Sequence, residues 1–172
     1  MSMTMHAASA ALYGRMLRNL LTWLDKAEAH AVAKGFPSAN YLVMRLAPDM
    51  LPFSQQVVVA CEIARMGVAR LGGLDLPPWT GKDDSLQVLR ERVQDAISWI
   101  TGVAPLQLAD SAGMEIVLPQ RKGDPLHFNG ESFLQRWALP NFFFHATTTY
   151  ALLRHAGVDL GKADFLGSID KD

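Results

Sequence analysis

The sequence has a single cysteine, Cys61, among its 172 residues, so it cannot form an internal disulfide. Scarce cysteine is typical of a reducing compartment, and we expect a cytoplasmic protein. The sequence also lacks a run of lysine and arginine: 16 basic residues stand against 17 acidic ones, for a formal net charge of −1. Nucleic acids and anionic membranes are bound by basic patches, so we expect neither as a main partner.

Long apolar runs are missing too. A membrane-spanning helix requires about 20 consecutive apolar residues, and no segment approaches that length. The small-residue run near the N-terminus is followed closely by Arg15 and Arg18, which argues against a signal peptide. The glycine-rich nucleotide motifs and the G-x-S-x-G hydrolase motif do not occur. These absences leave open which reaction the protein performs, and whether it is an enzyme at all.

What the sequence does contain is enough apolar residues for one globular domain over 1–172, since 49% of the residues are hydrophobic and 19% are charged. Apolar residues three and four positions apart predict a first helix over 7–34, which stops at Gly35. A second helix with the same spacing follows Asp49, whose side chain we expect to cap it. It stops at Gly72 and Gly73.

A third helix is predicted where Asp84 and Gln87 have the spacing of a capping box. Beyond that helix, the hydrophobic period changes to about two. The segments 114–118 and 126–128 then read as two short strands, joined by a turn over 119–125. The sequence therefore predicts a small β-hairpin inserted before the last helix.

The last helix lies in the stretch 137–158, which holds the densest aromatic cluster of the chain. Gly157 predicts its C-terminal stop. Pro140 lacks a backbone N–H, so we expect a kink there, or a break between segments 131–139 and 141–156.

A polar seam runs along this otherwise apolar helix. Asn141, His145 and Thr149 are spaced by four and therefore lie on one face. A helix that is apolar nearly all round is normally enclosed by other helices, which would place the seam inside the protein. The run Phe142 to Phe144 fits either the core or a dimer surface.

Four long helices and one hairpin predict an all-α four-helix bundle. The connection over 74–82 contains Pro77, Pro78 and Trp79 and cannot be helical throughout. Its length permits a crossing from one end of the bundle to the other. Connection lengths alone leave simple up-down and crossover topologies open.

Several segments together resemble the DUF1993 family of the DinB/YfiT-like superfamily. They are DKAEAHA at 25–31, RLAPDMLPFSQQV at 45–57, ALPNFFFHATTTYALLRHAGV at 138–158 and GKADFLG at 161–167. The resemblance implies an up-down-down-up bundle with a long crossover after the second helix, and commonly a homodimer. It also implies a divalent metal such as zinc or nickel. Many members bind it through three histidines, one from the second helix and an H-x-x-x-H pair on the fourth, and some transfer low-molecular-weight thiols.

The chain departs from that metal pattern. His145 occupies the position of one ligand on the fourth helix, but the residue four positions later is Thr149, and the second helix has no histidine. His155 lies about 15 Å further along the helix axis, too far to share an ion with His145. The resemblance therefore implies a degenerate or altered metal site.

His145 is the candidate catalytic residue, as a ligand or as a general base. The candidate metal ligands are His145, His30 and Asp49, and the candidate pocket residues are His30, Asp49, Gln56, Asn141, His145 and Thr149. Two interpretations remain. In the first, the protein binds a small molecule or is transferase-like, with a pocket open beside His145. In the second, it is a non-enzymatic homodimeric binding or scaffold protein, and His145 is a core histidine satisfied by its neighbours.

Overall fold

The computed structural model describes residues 3–120 and 122–168. Arg121 of the predicted turn and both ends of the predicted domain lie outside the described residues. The main elements are α1 (Leu12–Lys34), α2 (Phe53–Gly72), α3 (Leu86–Thr101), β1 (Glu115–Leu118), β2 (Leu126–Asn129), α4 (Gly130–Phe133), α5 (Leu139–His155) and α6 (Lys162–Leu166). A π-helical turn, Ala7–Ala11, precedes α1, and a second one, Leu134–Ala138, joins α4 to α5.

The long helices form the predicted four-helix bundle in up-down-down-up order. Helix α1 packs against α3, and α2 packs against both α3 and α5. The connection from α2 to α3 crosses the length of the bundle. The two strands form an antiparallel hairpin in which Glu115 pairs with Asn129 and Leu118 pairs with Leu126. The all-α fold with an inserted hairpin is therefore confirmed.

The core follows the predicted apolar stripes. The largest fully buried side chains include Trp23 of α1, Phe53 of α2, Leu89 of α3, Phe133 of α4 and Phe142 of α5. Each of the four long helices thus contributes to one continuous core, as a single domain requires. Among the described residues, no helix combines the length and the apolarity that crossing a membrane demands.

The predicted helix stops are confirmed at Gly73 and Gly157. Both glycines have positive φ, 59° and 90°, the left-handed conformation that favours glycine after a helix. The N–H of Val158 donates to the carbonyl of Leu153 at 3.0 Å, which satisfies a terminal carbonyl of α5. The fourth long helix therefore ends where the sequence predicted.

The prediction that Asp49 caps α2 is wrong. Asp49 is exposed, and α2 begins at Phe53 after an extended Pro52. The first amide groups of α2 donate instead to connector carbonyls, Phe53 N–H to Met44 at 2.8 Å and Ser54 N–H to Leu42 at 3.2 Å. Because backbone carbonyls already satisfy these donors, no side-chain cap is needed.

The capping box predicted at Asp84 and Gln87 is wrong, and the helix has instead a serine N-cap one residue later. Ser85 is the N-cap of α3, and its Oγ accepts from the N–H of Val88 at 3.1 Å. Gln87 instead donates to Glu91 on the exposed face. Leu86, a core residue, is the first residue of the helix, which leaves the capping position to Ser85.

The predicted break at Pro140 does not occur. The helix runs from Gly130 to His155, and the irregularity is the π-helical turn Leu134–Ala138 just before the proline. A π turn shifts the hydrogen bonding from four to five residues. The helix can therefore pass a residue that has no N–H without ending.

The crossover is held by aromatic and cationic contacts. The guanidinium of Arg65 lies 4.2 Å from the centre of the Trp79 ring, and that of Arg92 lies 5.1 Å from it. Arg65 also donates to the carbonyl of Pro77 at 2.9 Å, and Arg92 pairs with Asp83 at 2.9 Å. These contacts fix the crossover to α2 and α3.

Candidate functional site

The polar seam of α5 meets α2 at one side-chain pair. His145 is only 9% exposed, and its Nδ1 lies 2.7 Å from Oε1 of Gln56, which is 1% exposed. The backbone of His145 is held in its turn by Thr149, whose hydroxyl donates to the His145 carbonyl at 2.9 Å. Packing of α2 against α5 therefore places an amide beside the imidazole.

The Gln56 amide has a second partner. Its Nε2 donates to the carbonyl of Leu51 at 3.0 Å, in the connector that precedes α2. This contact gives a chain of three groups, which we call the His145–Gln56–Leu51 relay. Both polar ends of the buried Gln56 side chain are thus paired, as buried polar groups require.

The other ring nitrogen of His145 is left for a further partner. Nε2 has no hydrogen-bond partner among the described residues, yet it is not one of the fully enclosed polar atoms that lack a partner. It therefore keeps solvent contact. Burial lowers the pKa of His145, because the charged imidazolium is poorly solvated there. The imidazole is accordingly neutral at neutral pH.

Two exposed apolar side chains belong to residues that end or adjoin the relay. The Phe144 ring stands perpendicular to the His145 ring, with 5.2 Å between their centres, and Phe144 is 54% exposed. Leu51, whose carbonyl ends the relay, is also exposed. We call these two side chains the apolar rim. A neutral nitrogen acceptor beside apolar surface can bind the polar group of a mainly apolar molecule.

The structure brings only part of the predicted site together. Gln56 and Thr149 contact His145, whereas Asp49 is exposed in the connector and makes no ion pair among the described residues. Asn141 is half-buried, and its side chain makes no hydrogen bond to the part of the chain that the structure describes.

His30 belongs to a different set of contacts. Its Nδ1 lies 2.7 Å from the hydroxyl of Tyr41, and its ring lies against Gly157. Gly157 lies beyond the C-terminus of α5, whose last residue, His155, is about 15 Å from His145 along the helix axis. His30 and His145 therefore belong to separate environments.

These positions do not fit a three-ligand metal centre. Zinc and nickel sites need three or four nitrogen, sulfur or carboxylate ligands at about 2.0–2.3 Å from one ion. The three candidate ligands, His145, His30 and Asp49, are not brought together, and no group of three histidine, cysteine or acidic residues elsewhere in residues 3–120 and 122–168 has that geometry. The hydrogen-bond partner of the His145 ring is the side-chain amide of Gln56.

Two features of the site were not found from the sequence. The Leu51 carbonyl is a backbone group, and no residue pattern marks it. The exposure of Phe144 was also missed, because the run of three phenylalanines reads as uniformly apolar. Phe142 is fully buried and Phe143 partly so. Successive helix residues are about 100° apart around the axis, so the sequence could have placed Phe142 and Phe144 on different faces of the helix.

The family model for DUF1993, a domain of unknown function, matches residues 5–166. The chain belongs to the DUF1993 family. This DUF1993 chain is also 36% identical to a DinB family member protein from Shewanella denitrificans, whose crystal structure was determined at 1.83 Å resolution. The match has a TM-score of 0.88 and covers 97% of this chain and 94% of that one. A search of curated proteins found no significant match.

Membership of DUF1993 and the DinB-family match confirm the resemblance drawn from the sequence, and with it the DinB-like fold. They assign no specific function. For this DUF1993 member, the chemistry has to be argued from the residues around His145.

Proposed function

We propose that this DUF1993 protein binds a small molecule at His145. The observation that carries the proposal is the neutral imidazole, which the relay holds at Nδ1 while Nε2 reaches solvent beside the apolar rim. Such a site takes a ligand with an apolar body and one polar group. The apolar body covers Phe144 and Leu51, and the polar group meets Nε2.

The chemistry that this site can perform depends on the one imidazole of His145. In place of a three-ligand metal centre, this degenerate site has one neutral nitrogen base, and His145 is its candidate catalytic residue. A neutral imidazole can accept a proton from a bound ligand, which is the role of a general base in a transferase-like reaction. Binding of the ligand is the first requirement for any such step.

The test uses p-cresol, an apolar ring with one hydroxyl, as the probe. Protein labelled with ¹⁵N-histidine is titrated with p-cresol, and the ring resonances of His145 are followed by NMR. We expect saturable shifts at His145 and none at His30, which lies against Tyr41 and Gly157. Phe144→Ser should weaken binding by about tenfold or more, since burying a phenylalanine is worth about 1.5–3 kcal/mol.

The control is Val32→Ser, which removes an exposed apolar side chain from α1; Val32 is 73% exposed, against 54% for Phe144. This variant should bind p-cresol as the wild type does. A titration without saturation, or an equal loss of affinity in both variants, contradicts a site at the apolar rim.

A second candidate function, a homodimeric binding or scaffold protein, is favoured by the connector before α2. Val43, Leu46 and Leu51 are large apolar side chains that are exposed within nine residues of one another. A two-fold interface must be self-complementary, and this surface also carries one cation and one anion, Arg45 and Asp49. Neither residue forms an ion pair in the described part of the chain. Arg45 donates to the carbonyl of Met50 in its own chain, and its charge, like that of Asp49, can pair with the opposite charge of a second copy.

A further inference from the structure

The direction of hydrogen bonding in the His145–Gln56–Leu51 relay is set by its backbone end. A carbonyl oxygen only accepts, so the group that faces the Leu51 carbonyl at 3.0 Å is the NH₂ of Gln56. The amide oxygen of Gln56 then faces Nδ1 of His145 at 2.7 Å. That oxygen also only accepts, so Nδ1 must carry a proton and donate it.

Reversing the relay is costly. Turning the Gln56 amide over would place its oxygen against the Leu51 carbonyl, where two acceptors face each other without a proton between them. Gln56 is almost wholly buried, so water cannot replace the lost donor. The relay therefore has one arrangement of low energy.

A neutral imidazole holds a single proton, so protonation at Nδ1 leaves a lone pair on Nε2. This is the nitrogen that keeps solvent contact. Second-layer hydrogen bonds of this kind commonly decide which nitrogen of a histidine is available to a ligand.

We infer that Gln56 is a positioning residue that holds His145 with its proton on Nδ1, so that the site selects ligands presenting an O–H, N–H or S–H donor to Nε2. Ligands with the same apolar body but only acceptor atoms are then bound more weakly. The ligand class rests on the binding function proposed above, whereas the position of the proton does not.

The position of the proton is tested without ligand. In ¹⁵N-histidine-labelled protein at a pH where His145 is neutral, long-range ¹H–¹⁵N correlation distinguishes a protonated ring nitrogen from an unprotonated one. A His145→Asn variant identifies the His145 signals among the five histidines. We expect a protonated Nδ1 and an unprotonated Nε2 in the wild type.

Two variants of Gln56 separate positioning from packing. Gln56→Glu keeps an acceptor at Nδ1 and should keep Nδ1 protonated, although its carboxylate also favours the doubly protonated ring and places a second oxygen against the Leu51 carbonyl. Gln56→Met has similar volume but no acceptor and should populate the form protonated at Nε2. Circular dichroism checks that each variant is folded. A wild type protonated at Nε2, or an unchanged pattern in folded Gln56→Met, overturns the positioning role.

The ligand class is tested with p-cresol and 4-methylanisole, in which a methyl ether replaces the hydroxyl. We expect p-cresol to bind the wild type about tenfold more tightly, and the difference to shrink in Gln56→Met. Equal affinities with the proton on Nδ1 overturn the ligand class alone. Binding of neither probe overturns the proposed function, while the NMR result on the free protein still decides the role of Gln56.

Discussion

At the scale of single residues, the candidate site shows what helix spacing can and cannot specify. Spacing by four placed His145 and Thr149 on one face, and the structure has them in contact through the His145 carbonyl. Asn141 shares the spacing but makes no hydrogen bond within the described residues. The decisive partner, Gln56, lies 89 positions away in the chain. Only the packing of α2 against α5 selects it.

Two buried tyrosines provide a test of hydrogen bonding in this core. The Tyr13 hydroxyl is enclosed between α1 and Gly67 without a partner among the described residues, and burial raises its pKa. We expect Tyr13→Phe to leave the free energy of unfolding unchanged or to raise it by up to about 1 kcal/mol, because an unpaired buried polar group is removed. Urea denaturation measures the difference.

Tyr41→Phe is the matched control. The Tyr41 side chain is also buried, but its hydroxyl lies 2.7 Å from Nδ1 of His30, so its removal should cost about 1 kcal/mol. If Tyr13→Phe destabilises the protein as much as Tyr41→Phe does, the Tyr13 hydroxyl has a partner and the prediction is wrong.

At the scale of secondary-structure elements, the predicted helix starts were wrong more often than the predicted helix stops. The stops at Gly73 and Gly157 depend on one residue's backbone conformation, which glycine makes readable from sequence. The starts depend on which group satisfies the first N–H donors. For α2 these partners are carbonyls of the connector, Met44 and Leu42, and no sequence pattern reveals them.

The start of α3 gives a direct test of the corrected cap. Ser85→Ala removes the oxygen that accepts from Val88 N–H and should lower the free energy of unfolding by about 1 kcal/mol. Asp84→Ala, at the position that sequence spacing favoured, should change it by less than about 0.5 kcal/mol. Thermal or urea unfolding of both variants measures the contrast, and a larger loss in Asp84→Ala would restore the capping box.

At the scale of the whole molecule, the open question is what covers the exposed connector. In the homodimer proposal, Val43, Leu46 and Leu51 pack against the same surface of a second copy, beside the apolar rim of the His145 site. An isologous interface would then place two such sites close to the two-fold axis. Ligand binding and dimer formation would be linked, because both use Leu51.

Sedimentation velocity over a range of concentrations tests this proposal. We expect the wild type to sediment as a dimer and Leu46→Asp as a monomer, because a buried unpaired charge is costly. Val32→Asp is the control: Val32 is 73% exposed, against 54% for Leu46, and lines a groove with Ser38 and Arg90, outside the stretch 43–51. A monomeric wild type, or dissociation of both variants, rules out this surface.

The two charged residues of the connector provide a second test of the proposed dimer interface. Arg45→Asp and Asp49→Arg should each weaken the dimer, because like charges then meet across the two-fold axis. The double variant should recover much of the lost affinity, since the opposite pair is restored. Two additive losses without recovery would show that Arg45 and Asp49 do not meet.

The sequence by itself determined the parts of this protein that depend on neighbouring residues. Apolar spacing gave the four helices, the change of period gave the hairpin, and Gly157 gave the end of α5. The family motifs added the crossover topology, which connection lengths had left open.

Only the tertiary structure decided what surrounds His145. From the sequence alone, His30 and Asp49 were plausible partners of His145. In the structure the partner is Gln56, whereas His30 contacts Tyr41 and Asp49 is exposed in the connector. The physical reason is that a side chain reaches only a few ångströms. Which distant residues fall within that reach is fixed by how rigid helices pack, and not by local sequence.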